Sequence, residues 1–233
     1  MSENLDRRDV LALASIATAA AVAGLPATAE AAGAKPMTYS PQPLPFDPNG
    51  IKGFSAKLLS SHYDNNYTGA VKRLNAINEE LARLDWAKAP TFTINGLKRE
   101  ELIAMNSMAL HELYFEGIGA GGDPSGGLAK AVERDFSSIA KWREQFAALG
   151  KAQGGGSGWV LLCYLPRDKR LVNAWAADHT MTPANGRPLM ALDMYEHAYA
   201  IDFGAKAAAY VDAYMGALKW DTAAKLFDRY SAE

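Results

Sequence analysis

Cysteine is nearly absent. Cys163 is the single one in 233 residues, which excludes an intrachain disulfide and any zinc site built on paired cysteines. It lies in the apolar run 159–165 and reads as a small buried residue, not a nucleophile. An excess of one charge is missing too. Lys and Arg number 24 against 26 Asp and Glu, a net charge of −2, so there is no basic footprint for nucleic acid or an anionic membrane surface. No internal repeat is present. The glycine-rich stretch 121–126 lacks the lysine and spacing of a phosphate loop and reads as a helix stop followed by a turn. Histidine is scarce as well: only four occur, at His62, His111, His179 and His197. The remaining composition, 49% hydrophobic and 21% charged, is that of a globular chain with ample core, in one large domain or two small ones.

The first 35 or so residues read as an export signal. Arg7-Arg8 precedes the apolar stretch 10–23, and Ala27-Thr28-Ala29 and Ala29-Glu30-Ala31 are small-x-small processing sites. The arginine pair points to twin-arginine export and a periplasmic or secreted protein. Val10 stands where phenylalanine is usual, and Asp6 and Asp9 flank the pair. The rival reading is a retained anchor. Gly24 and Pro26 interrupt the apolar stretch, which favours cleavage and no stable membrane insertion afterwards.

Residues 36–50, with five prolines, form an extended lead-in. Ser55 opens a helical pattern in which Leu58, Leu59, His62, Tyr63 and Asn66 share a face, continued by Val71, Leu74, Ile77 and Leu81 to near Trp86. Residues 90–95 read as a loop. The next helix is expected over 98–114, with Leu102, Met105, Ala109 and Leu113 as the apolar face around His111. Further helices follow at 128–136 and, capped by Ser137 or Ser138, to about Leu149. Then the period changes. Strands are expected at 159–165, 171–176 and 189–192, followed by helices near 202–218 and 221–230. The fold class is α+β: an N-terminal helical hairpin over 36–118, then an α/β half over 119–233 with a small three-stranded antiparallel sheet.

His62 and His111 each sit on a helix face shared with apolar residues. If those helices pack antiparallel, the two imidazoles meet between them. Neutral imidazole bound to a metal is one solution for such burial. Asp193 stands four residues before His197, a spacing that puts both on one side of a helical turn. A site of three imidazoles and a carboxylate suits iron or manganese, although any one histidine taken alone is more often an ordinary core or surface residue than a ligand.

The segment Asp193-Met194-Tyr195-Glu196-His197-Ala198-Tyr199 resembles the D-x-W-E-H-A-Y signature of iron/manganese superoxide dismutases. Leu44-Pro45-Phe46, His62-Tyr63 with Leu74-Asn75, His111-Glu112-Leu113-Tyr114-Phe115, the 121–126 turn and Gly156-Ser157-Gly158-Trp159 resemble further family segments in the same order. The resemblance implies that His62, His111, Asp193 and His197 are ligands of one Fe or Mn ion per subunit, with solvent as a fifth ligand. It implies that superoxide is the substrate and that the protein is a homodimer or homotetramer. His179 matches an outer-sphere position that hydrogen-bonds the metal's solvent. Glu196 matches the glutamate that reaches the opposite subunit's histidine ligand. Trp159 and Tyr114 belong to the aromatic shell.

Departures from the family pattern lie at the substrate gateway. Where members carry a histidine and a tyrosine after the first ligand, this chain has Asn66 and Ala70. A later tyrosine is Ala200, the tryptophan before Glu196 is Tyr195, and a second tryptophan is Leu161. A wider channel is expected, with Tyr63 or Tyr67 as substitute for proton delivery. Two alternatives stand beside the dismutase: an Fe/Mn-dependent oxidoreductase acting on a larger substrate, and a non-catalytic metal-binding homologue.

Overall fold

The computed structural model describes residues 35–232; the expected export signal lies outside them. After the lead-in, helix α1 (Ala56–Ser61) starts at Ser55, whose hydroxyl accepts the Leu58 N–H at 3.0 Å. The ladder then widens into a π-type segment over His62–Tyr67 and returns to α-helical geometry in α2 (Thr68–Arg83). Its apolar face, Val71, Leu74, Ile77 and Leu81, is buried as its spacing requires.

The chain folds back in α3 (Thr91–Glu116). Pro90, at the N-cap, has no N–H to leave unpaired where the helix begins. The expected loop at 90–95 is therefore mostly helix, and the expected helix at 98–114 is longer at both ends. The apolar face is also corrected. Leu102 and Met105 are exposed, as is Ala109, and Leu113 is only partly buried. The buried face consists of Ala104, Ser107, Met108, His111 and Phe115, with Leu110 and Tyr114 beside it. An ion pair between Arg73 and Glu100 links α2 to α3 on the outside.

Helices α4 (Gly126–Phe136) and α5 (Ile139–Ala152) follow. Ser138 caps α5 by accepting the Lys141 N–H at 3.1 Å, and the helix runs past the expected end at Leu149. The sheet has strand order β2-β1-β3, all antiparallel. Strand β1 (Trp159–Leu165) is central and buried almost throughout, between β2 (Arg170–Ala176) and β3 (Arg187–Asp193). Strand β3 is longer than expected. It bulges where β1 passes from Leu162 to Cys163, and it tolerates Pro188 because it is an edge strand. The register pairs Trp159 with Asp193.

The helix expected over 202–218 is broken. A short helix α6 (Ala200–Phe203) ends at Gly204, whose φ of +54° suits a residue without a Cβ, and α7 (Ala207–Gly216) begins afresh. Helix α8 (Asp221–Ser231) closes the chain with Ala223 and Phe227 inward. The observed architecture is the expected α+β arrangement, a helical first part followed by a three-stranded antiparallel sheet among helices.

Candidate metal centre

Four residues from three places in the chain converge. His62 stands at the first position of the π-type segment, His111 lies near the end of α3, Asp193 ends β3, and His197 lies in the short 3-10 turn Glu196–Ala198. Their ligand atoms all lie within 4.8 Å of one another. One oxygen, Asp193 Oδ2, is 3.1 Å from His62 Nε2, 3.1 Å from His197 Nε2 and 3.5 Å from His111 Nε2. The other, Oδ1, accepts the Tyr195 N–H at 2.8 Å, which orients the carboxylate. His62, His111 and Asp193 are essentially inaccessible to water.

The arrangement suits a positive charge at its middle. His111 Nδ1 donates to the Ser107 carbonyl at 2.6 Å, so a neutral imidazole leaves Nε2 with its lone pair. Burial, reinforced by the neighbouring His62, pushes the His111 pKa down to about 3, so the ring is neutral. Its Nε2 is buried without a hydrogen-bond partner and faces a carboxylate oxygen, lone pair against lone pair. A cation between them resolves that conflict. Burial lowers the His62 pKa as well. Burial alone would raise the Asp193 pKa, but hydrogen bonding and charge from His197 and His62 outweigh it and hold the carboxyl well below its usual range. Three imidazoles and one carboxylate, with His111 supported by the Ser107 carbonyl and Asp193 by the Tyr195 N–H, fit a divalent or trivalent first-row metal.

The surrounding shell is aromatic. The His62 ring lies 4.8 Å from Tyr114 and 5.1 Å from Phe115, and His111 lies 5.2 Å from Trp159. Tyr114 and Trp159 are fully buried. Two supports were not legible from the motifs. The Tyr210 hydroxyl donates to the Asp193 backbone carbonyl at 2.7 Å, and Asn106 donates to the His179 backbone carbonyl at 2.5 Å. Neither has a spacing signal, because Tyr210 comes from a distant helix and Asn106 contacts backbone.

His179 lies next to the cluster, its ring 6.2 Å from His111 and 4.8 Å from Tyr195. Glu196 is exposed. Asn66 is half-buried and Ala70 is buried, and neither brings a titratable group to the centre. The hydroxyls of Tyr63 and Tyr67 are bonded to groups outside the ligand cluster. Tyr63 donates to the Gln42 carbonyl at 2.8 Å, while Tyr67 donates to Glu112 at 2.8 Å and accepts the Gln42 N–H at 2.7 Å.

The family model for iron/manganese superoxide dismutases, C-terminal domain, matches residues 124–226. A superoxide dismutase [Fe] of Cupriavidus metallidurans is 61% identical over 191 residues, which covers 82% of this chain and 97% of the relative. Superoxide dismutase [Mn] 2 of Halobacterium salinarum is 32% identical over 79% of this chain and 92% of its own length. A superoxide dismutase [Fe] of Pyrobaculum aerophilum is 29% identical over 78% and 89%. With its residues, their order and its fold in agreement with these matches, the chain belongs to the iron/manganese superoxide dismutase family.

Proposed function

We infer that the protein dismutates superoxide to dioxygen and hydrogen peroxide, with His62, His111, Asp193 and His197 holding the metal. The observation that carries this reading is the unpartnered, buried Nε2 of His111 opposed to Asp193 Oδ2, inside a cluster whose only simple completion is a cation. A bound iron or manganese ion supplies the one-electron redox couple that accepts an electron from one superoxide and gives it to the next. The protein holds His111 neutral and Asp193 anionic, excludes bulk water with Trp159, Tyr114 and Phe115, and keeps His179 beside the centre to hydrogen-bond the solvent ligand.

Iron, one ion per subunit, is favoured by the high identity to a relative named as an iron enzyme. The exposed Glu196 next to His197 supports assembly as a homodimer or a homotetramer built from it, with Glu196 meeting the partner subunit's histidine ligand. Arg7-Arg8 and the apolar stretch that follows support export to the periplasm or beyond. Twin-arginine export would carry the chain already folded around its metal.

The test measures metal content and superoxide consumption on the same purified protein. Iron near one per subunit with rapid dismutation is expected. Stoichiometric metal with negligible dismutation would transfer the reading to another oxidoreductase on this scaffold, and no bound metal would leave a non-catalytic homologue. His111→Ala should lower bound metal at least about tenfold, because it removes a ligand and a buried partner of Asp193 together.

A further inference from the structure

Side chains fasten the lead-in 37–44 to the helical hairpin. Among the described residues its backbone forms no hydrogen bond with other backbone. Asn78 donates to the Met37 carbonyl at 3.0 Å. Asn75 grips Tyr39 twice, accepting its N–H at 2.8 Å and donating to its carbonyl at 2.9 Å. Tyr67 accepts the Gln42 N–H at 2.7 Å, and Tyr63 donates to the Gln42 carbonyl at 2.8 Å. Residues 67, 75 and 78 share one helix face by their spacing. Pro41 and Pro43 flank Gln42 and have no N–H to add. No residue from 37 to 44 is buried. A strap with few buried contacts, held by side-chain bonds, opens at lower cost than the helices beneath it.

What lies under the strap adjoins the metal centre. Gln42 and Leu44 line one side of a cavity of about 20 Å³, and Phe115, Glu112 and Glu116 of α3 line another. That is room for about one water molecule and not for a hydrated metal ion. The Phe115 ring lies 5.1 Å from the His62 ring and 6.4 Å from the His111 ring. Tyr63, which holds the strap, directly follows His62. One layer of aromatic ring therefore stands between the cavity and two members of the cluster. The two carboxylates set the sign of what can pass. They attract a metal cation and repel superoxide, an anion.

We propose that the strap 37–44 is the loading gate of the metal centre: it lifts from Asn75, Tyr67 and Tyr63 to let a divalent cation pass Phe115 to His62 and His111, then closes to hold the ion in. The inference rests on the metal-binding reading given above. With the strap down, its bonds add to the barrier against metal loss without touching the ion. Asn75 separates the gate from the site, because its side chain bonds Tyr39 and lies outside both the cavity and the cluster.

The test times metal release from the loaded protein into excess chelator and anaerobic Fe(II) uptake by the metal-free protein. Amide hydrogen exchange is followed at Tyr39 and Gln42. Asn75→Ala and Tyr67→Phe should each speed both release and uptake about 3- to 10-fold, the factor for losing one or two hydrogen bonds, and shift the equilibrium affinity by less than about twofold. The two amides should exchange faster in step. Asp135→Asn, which weakens the anchor of α4 on β2, should leave both rates unchanged; equal acceleration there would make general instability the cause and overturn the proposal. Glu116→Gln should slow uptake at low ionic strength; an unchanged rate would put the entrance elsewhere. Unchanged rates in Asn75→Ala and Tyr67→Phe, whatever the amides do, would show that the ion passes by the partly exposed His197 and would overturn the gate. Faster release with unchanged uptake would mean a weakened site and no gate. Should Tyr67→Phe fail to fold, Asn75→Ala decides alone. A wild-type protein that takes up no metal would sink the metal reading and the gate together, whereas stoichiometric metal with equal rates in every variant would sink the gate only.

Discussion

Asp202 accepts two hydrogen bonds from Ser55, one from the backbone N–H and one from the hydroxyl, each at 2.6 Å. Ser55 caps α1, which runs directly into His62, and Asp202 lies in α6, just after His197. The pair therefore ties together the two segments that carry the first and last members of the His/Asp cluster. Both residues are exposed, which limits the energy of the tie but not its geometry.

Asp202→Ala should lower the unfolding free energy of the metal-loaded protein by about 1 kcal/mol, the usual scale for losing hydrogen bonds at a helix start. Metal retention under a chelator should fall with it, since the start of α1 is freed. Asp212→Ala, which breaks only the exposed pair with Lys151, should stay within about 0.5 kcal/mol and leave metal retention unchanged. Chemical denaturation and timed chelation measure both. Equal effects from the two variants would show that the Ser55 tie has no special role.

Gly158 precedes Trp159 at a φ of +131°, and a Cβ there would lie 2.1 Å from the Ala176 carbonyl oxygen. That oxygen is backbone at the β1–β2 pairing and has nowhere to move. Gly158→Ala should cost at least about 2 kcal/mol and displace Trp159 from His111 and His179, so metal content falls as well. Gly155, at +83° but with open space around it, should lose only about 1 kcal/mol as alanine. Thermal melts of the two variants side by side test the contrast. Similar melting temperatures would mean that the clash is relieved by backbone shifts.

Asp135 accepts the Leu171 N–H at 2.7 Å and pairs with Arg134 at 2.7 Å, which anchors α4 on β2. Burial would raise its pKa, but Arg134 and the Leu171 N–H outweigh burial and lower it. A lowered folded pKa means that the unfolded chain takes up the proton first as the medium is acidified. The stabilisation is complete above the unfolded carboxylate pKa of about 3.9 and fades as the pH falls through the folded value. Wild-type and Asp135→Asn stabilities should therefore differ most near neutral pH and converge below about pH 3.9. A difference that grows on acidification would reverse the sign and refute the assignment.

The four clustered residues could be picked out in the sequence because each histidine stands beside a recognisable neighbour, and Asp193 and His197 share one short segment. The strands were legible because 159–165 and 171–176 are apolar runs around a turn, Arg167-Asp168-Lys169. Helix α3 was not. Thr91, Thr93, Ile94, Asn95 and Gly96 are poor helix formers, and packing against α2 overrides their propensity. Its buried face was misplaced because Leu102 and Met105 are large and apolar yet exposed, while small or polar Ala104, Ser107 and His111 point inward among Met108, Leu110, Tyr114 and Phe115. A helix that turns a polar histidine inward and large apolar residues outward blurs the pattern that marks a core face. Tyr210 and Asn106 escaped notice because contacts to backbone carbonyls leave no mark on spacing.

Asn66 and Ala70 stand where the family resemblance implies a substrate gateway, and Tyr63 and Tyr67 are the phenols on the same helical segment. Tyr67 is buried, donates to Glu112 and accepts from Gln42, and burial raises its pKa far above the ordinary phenol value. Tyr63 donates its hydroxyl hydrogen bond to the Gln42 carbonyl. A phenol already committed to a neighbour, or held firmly protonated by burial, gains little by passing its proton to a reacting anion. Tyr63→Phe should therefore keep turnover within about threefold at full metal content, whereas His179→Ala should lower it about 10- to 100-fold. Tyr67→Phe should act mainly on stability, costing about 1–2 kcal/mol, because the half-buried Glu112 loses its donor. Pulse-radiolysis turnover normalised to bound metal separates these outcomes. A drop of more than about tenfold in Tyr63→Phe would return proton delivery to that phenol and require its hydroxyl to leave Gln42 during turnover.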